Sequence, residues 1–106
     1  MPVYEWCDKW TWVETATTGG STRIAEVRGR VAQFTFGFQT GPGCTCTVQM
    51  QAGPSVDGPW LDLFSTAVSL STSAYAVQQM SGPLAYLRPY VTAKTTGTLV
   101  IEGFGN

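Results

Sequence analysis

At 106 residues the chain is sized for one domain with one core, since a globular protein of this length buries roughly 60–70% of the surface its unfolded chain exposes. Charged residues make up only 12% of it, about half the usual share, so Thr, Ser, Gln and Gly must cover much of the surface and copies repel one another weakly. A net charge of −1, with the basic residues scattered from Lys9 to Lys94, offers no field to a phosphate backbone and excludes nucleic acid as an expected partner.

No stretch approaches the roughly 18 apolar residues of a membrane-spanning helix, and no basic segment followed by an apolar run opens the chain. Neither a membrane nor export is therefore expected, and synthesis in a cytoplasm is. The cysteines are three, Cys7, Cys44 and Cys46. Cys44 and Cys46 fall two apart in an extended run, on one face and too far apart for ordinary disulfide geometry, and read as small core residues. A bridge from Cys7 to either stays open. With no histidine in the chain, a zinc site of the usual Cys/His kind lacks ligands, and no metal or cofactor is expected.

In chain order, residues 1–13 (MPVYEWCDKWTWV) hold three of the four tryptophans, Trp6, Trp10 and Trp12. Trp10 and Trp12 share a face if the segment is extended; Trp6 and Trp10 share one if it is helical. The indoles are either additional core or an N-terminal arm that anchors into a neighbouring protein. Thr15 to Thr22 reads as a loop, and Arg23 to Val27 as a short strand ended by Arg28-Gly29-Arg30, a solvated turn. From Val31 to Gln39, Phe34, Phe36 and Phe38 alternate with Thr35, Gly37 and Gln39, a strand with an aromatic core face. Gly41-Pro42-Gly43 turns it into Cys44–Ala52, where Cys44, Cys46, Val48, Met50 and Ala52 alternate with Thr and Gln.

Gly53, Pro54, Asp57, Gly58 and Pro59 break that run, and Trp60 to Phe64 begins another, with Trp60 expected to close the core. Ser65 to Ser73 and Tyr75 to Met80 read as further strands. Leu84 to Ala93 places Leu87, Val91 and Ala93 on one face and Tyr86, Arg88, Tyr90 and Thr92 on the other. Pro89 within it predicts a bulge or an edge strand. Thr98 to Phe104 is the last strand. The chain thus reads as all-β: an antiparallel two-sheet β-sandwich or jelly roll of about seven or eight strands over 14–106, with a Trp-rich arm over 1–13.

Nothing in this pattern names a reaction. The familiar triads need a histidine base, Asp57-Gly58 suits a tight turn, Asp62 alternates outward, and the glycines around Gly37 precede no helix. No catalytic residue is assigned and no enzyme is expected. Tyr86 and Tyr90 flank Arg88 as a patch for docking protein or stacking sugar, or else as cross-strand pairs that stabilise the sheet.

The succession Ser55-Val56-Asp57-Gly58-Pro59-Trp60, Ala85-Tyr86-Leu87-Arg88 and Thr96-Gly97-Thr98-Leu99-Val100 resembles a pattern in small β-sandwich structural proteins of tailed bacteriophages. It covers the chain from Phe34 onward and departs from the usual turn at Pro59. The resemblance implies a virion component assembled in the host cytoplasm: a capsid decoration or cement protein, or a head–neck or fibre part. Its partners would be the major capsid protein or another virion protein, with further copies of itself in a homo-oligomer. Candidate assembly contacts are Trp6, Trp10, Trp12, Tyr86, Arg88 and Tyr90. The same elements are similar to carbohydrate-binding jelly rolls, which makes carbohydrate the alternative partner.

Overall fold

Three phenylalanines set the middle of the molecule. Phe34, Phe36 and Phe38 are 1%, 0% and 0% exposed, because a strand that alternates aromatic and polar residues turns every second side chain to the same side. The computed structural model describes residues 8–21, 23–27, 33–81 and 84–105. Over these it is an all-β sandwich of two antiparallel sheets. Its ten strands are β1 (Asp8–Glu14), β2 (Gly19–Gly20), β3 (Ala25–Glu26), β4 (Gln33–Thr40), β5 (Cys46–Gly53), β6 (Leu61–Asp62), β7 (Val68–Leu70), β8 (Tyr75–Ser81), β9 (Tyr86–Lys94) and β10 (Leu99–Gly105). The two strands beyond the expected eight, β1 and β2, lie where an arm and a loop were expected.

The smaller sheet runs β1-β10-β4-β8. Leu99 and Ile101 of β10 face inward beside the phenylalanines. β1 pairs with β10 along its whole length, Asp8 opposite Gly105 through Glu14 opposite Leu99. This corrects the expected arm over 1–13: its second half is sheet, and Trp6 and Cys7 lie outside the described residues. Trp12 is 1% exposed, and its indole Nε1–H donates to the Arg23 carbonyl at 2.9 Å, so the polar end that would otherwise forbid deep burial is satisfied. Gly103 makes the room, since a Cβ there would stand 3.2 Å from Phe36 and 3.3 Å from Trp12. Trp10 is half-buried against Phe34, with ring centroids 6.3 Å apart. The two indoles of residues 1–13 that the structure describes, Trp10 and Trp12, therefore pack inward.

The larger sheet runs β2-β9-β5-β6, with β3 also on β9 and β7 also on β5. Cys44, Cys46, Val48, Met50 and Ala52 all face the core as alternation requires. Cys44 and Cys46 are free buried thiols. Burial, with Cys44 adding to it and Lys94 opposing it, pushes the Cys46 thiol up to about 11, which leaves it unreactive.

β9 is central rather than an edge, and its bulge falls away from Pro89. The Pro89 carbonyl accepts from Ser21 N–H at 2.9 Å, so its missing donor points to that same side. There the neighbouring ladder is interrupted between β2 and β3. The register irregularity lies instead at Thr47/Val48, opposite Val91 and Ala93. It inverts the end of β9: Ala93, expected inside, is exposed, and Lys94 is 8% exposed. The Lys94 ammonium is held by the carbonyls of Thr95 at 2.9 Å and Gly97 at 2.7 Å.

Trp60 does not close the core. Phe64 does, edge-on to Phe36 and Phe38 at 6.3 and 6.2 Å. It is positioned by Gln49, 5% exposed, whose amide accepts from Phe64 N–H at 2.8 Å and donates to Phe64 C=O at 3.0 Å. On this edge of β5, between β6 and β7, the Gln49 side chain and the Leu63 N–H, which donates to the Met50 carbonyl at 2.9 Å, stand in for the ladder.

Two stability outcomes follow. Gln49→Leu keeps the volume but leaves both Phe64 backbone groups without partners, which should cost roughly 2–4 kcal/mol in urea unfolding; a cost below the error of the midpoint would refute the clamp. Glu14, half-buried beside Ser21, has its carboxyl raised by burial, with the Ser21 hydrogen bond opposing. A raised folded-state value favours the protonated form, so this contribution is present at low pH and lost as pH rises through the titration. Glu14→Gln should raise Tm at pH 7 and leave it unchanged below about pH 4; equal shifts at both pH values would contradict this.

Candidate functional site on the two outer faces

Residues of β5 and β9 that point away from the core build one outer face. The register sets Tyr86 opposite Gly53, Arg88 opposite Gln51 and Tyr90 opposite Gln49, and alternation sends all three β9 side chains outward, as expected. Arg88 is at the centre. Its Nε donates to Gln51 Oε1 at 2.9 Å, and Gln51 Nε2 donates in turn to Asp62 Oδ1 at 3.0 Å. The guanidinium carbon lies 4.4 Å from the Trp60 ring centroid and 5.8 Å from that of Tyr90, a cation over two aromatic faces.

Two glycines admit this stack. A Cβ on Gly20 would stand 2.5 Å from the Arg88 guanidinium, and one on Gly53 would stand 3.2 Å from the Trp60 ring and 2.8 Å from the Pro59 carbonyl. The turn that carries Trp60 is built as the Asp-Gly signal implies. Gly58 has φ 85°, its N–H donates to the Ser55 carbonyl at 3.0 Å, and Ser55 Oγ donates to Gly58 C=O at 2.9 Å. Asp57 belongs to that turn.

Of the residues singled out from the sequence, the structure brings Arg88 and Tyr90 together. Tyr86 lies nearby, its hydroxyl donating to Glu26 Oε2 at 3.1 Å. Trp10 and Trp12 belong to the core side of the other sheet. Trp60, Gln51, Asp62 and Gly20 complete the cluster and were not among the expected site residues. One signal was present: Trp60 has the parity of Asp62, which reads as solvent-facing, so an unbroken strand turns both outward together.

Further along the same face, Thr45, Thr47, Ser69, Ser71, Ala93 and Thr95 line a shallow trough of about 620 Å³. Thr45 and Thr95 are tied to each other, the Thr45 N–H donating to Thr95 Oγ1 at 2.8 Å. No protein partner meets the hydroxyls of Thr47, Ser69 and Ser71 among the described residues.

The outer face of the smaller sheet has the opposite character. Val13 is 60% exposed, Tyr75 65%, Val77 49% and Phe104 38%, and they lie on β1, β8 and β10 of the four-stranded sheet. Tyr75 lies over Gly37, where a Cβ would stand 2.6 Å from its hydroxyl. The ion pair Lys9–Glu102, at 3.4 Å, crosses this otherwise neutral face, with Lys9 also 5.5 Å from the Phe104 ring centroid.

No protein-family profile matches the chain, and no curated protein sequence does either. Solved structures do. The SPBc2 prophage-derived protein YomS superposes with TM-score 0.63 at 17% identity, over 99% of this chain and 98% of that one. A Bacillus endospore appendage protein, of a family that forms disulfide-linked pili, superposes with TM-score 0.51 at 16% identity, over 94% and 86%. IMPa from Pseudomonas aeruginosa, solved with an O-glycopeptide, gives TM-score 0.51 at 15% identity over 99% of this chain but only 13% of its own. At these identities the likeness shows a shared β-sandwich architecture.

Proposed function

We infer that the protein is a non-enzymatic structural component of a tailed-phage virion, a decoration or cement protein that lies on the capsid through the outer face of its smaller sheet. The observation that carries this reading is that face. Val13, Tyr75, Val77 and Phe104 are large apolar side chains left in water on a flat four-stranded surface, and a soluble monomer gains nothing by keeping them there. The surface is nearly neutral, so docking on a capsid lattice meets little desolvation penalty from charge. The fold likeness to a prophage-derived protein of nearly the same extent supports the setting, and the resemblance of the turn and strand motifs agrees with it.

Co-sedimentation with purified heads of the phage that encodes the chain is the test. The wild type should pellet with the heads. A Val13→Lys, Val77→Lys double variant should lose at least ten-fold in apparent affinity while its Tm stays near the wild-type value, because exposed substitutions away from structural features shift stability by about 0.5 kcal/mol or less. A wild type that stays in the supernatant, or a variant that pellets equally well, would overturn the assignment.

A further inference from the structure

We propose that the outer face of the larger sheet is a binding strip for an acidic oligosaccharide, with Arg88 receiving a sugar carboxylate at one end. This goes beyond the capsid role and uses none of the residues that carry it.

Arg88 is a cation with an open edge. Among the described residues it has no carboxylate within ion-pair distance, and of its donors only Nε has a protein acceptor, Gln51. The neutral amide at position 51 is the telling residue. A carboxylate there would pair with the guanidinium across the strands and close it. Gln51 instead fixes the orientation through Nε, occupies Asp62 with its other end at 3.0 Å, and leaves the two Nη groups side by side. The guanidinium carbon stands 4.4 Å over the Trp60 ring, which covers one side of the group and leaves the Nη pair for a carboxylate, which arginine grips with two parallel hydrogen bonds.

Away from Arg88 the strip changes to hydroxyls. Tyr90 is half-exposed beside the guanidinium, and its ring offers a surface on which a sugar can lie. Beyond it the trough presents Thr47, Ser69 and Ser71, whose hydroxyls both donate and accept, as sugar hydroxyls require. From Thr45 to Gln51 the chain advances about 20 Å at the usual rise of an extended strand, enough for several sugar units in a row. A protein partner would want an apolar centre; the exposed Val13, Tyr75, Val77 and Phe104 are on the opposite sheet, Leu61, 71% exposed, shares the parity of Ala52 rather than that of Asp62, and Val56 is in the turn before β6, so none of them is at the centre of the strip. The chemistry therefore favours a uronate-containing glycan over an acidic peptide.

Calorimetric titration of the full chain with tetragalacturonate, cellotetraose and tetraglutamate separates the cases. Tetragalacturonate should bind saturably, at least ten-fold more tightly than either of the others. Arg88→Gln should weaken it at least ten-fold, and Arg88→Lys should recover only part of the loss, since charge is kept and the paired donors are not. Gly20→Ala provides a second variant that leaves Arg88 in the chain. Its Cβ displaces the flexible end of that side chain rather than backbone, so the fold should persist while affinity falls to the Arg88→Gln level. Equal binding of cellotetraose would remove Arg88 as the carboxylate reader, equal binding of tetraglutamate would turn the site into an acidic-peptide seat, and no binding of tetragalacturonate, or full affinity in both variants, would end the proposal.

Discussion

Each sheet is buried on one side only, and that constraint organises everything else in the molecule. Phe34, Phe36 and Phe38 face Val48, Met50, Leu87 and Val91 across the sandwich, all 1% exposed or less. With a side-chain period of two, a slip of one residue in β4, β5 or β9 would put this aromatic and aliphatic set in water, so the register is strongly specified. Because it is specified, so is every outward side chain. Arg88 meets Gln51, and Val77 lies across from Gly37, because the core leaves the strands no other alignment. The surface chemistry is a consequence of core packing.

How much of this is legible in the sequence follows from the same constraint. β4 and β5 can be read residue by residue, since apolar and polar side chains alternate cleanly through Phe34–Phe38 and Cys46–Ala52, and β9 can be read as far as Val91. What cannot be read is decided by contacts distant in sequence. Gly19-Gly20 has no pattern of its own and becomes a strand because β9 offers it an edge and because Gly20 leaves room for Arg88. Trp12 reads equally as core or as an anchor for a partner, and the Arg23 carbonyl and the gap at Gly103 decide for the core. Lys94 carries no inward signal of its own, and an extra residue in its own strand, opposite Thr47/Val48, turns it inward onto two carbonyls. In each case a tertiary contact decides.

The candidate site divides in the same way. Tyr86, Arg88 and Tyr90 share a face by parity alone, so their half of the cluster is visible in one strand. The other half comes from three further segments, Gly20, Gln51 and Trp60 with Asp62, and only pairing brings them together. Trp60 is the instructive residue. A tryptophan beside Leu61 and Leu63 suggests core by composition, yet the core position goes to Phe64, which Gln49 fixes through two backbone hydrogen bonds. Trp60 is left outside, where the turn over Gly53 lays its indole against a guanidinium rather than against hydrocarbon.

The two outer faces differ too much to serve one purpose. Of the four described cations, Arg23 is exposed, Lys9 pairs with Glu102 on the apolar face, Lys94 is capped by carbonyls, and Arg88 is oriented by Gln51 and Trp60 with no described acceptor for its Nη groups. Stacking on Trp60 is worth about 0.5–2 kcal/mol, enough to preorganise the guanidinium but no substitute for a counter-charge. Gln at position 51 serves both neighbours, accepting from Arg88 and donating to Asp62, where Glu would set a second carboxylate against Asp62. The molecule measures 40 × 39 × 22 Å, and its short dimension is the stack of two sheets, with one face at each end of it. A surface laid down on the apolar side therefore leaves the polar side facing outward, and neither occupant can obstruct the other.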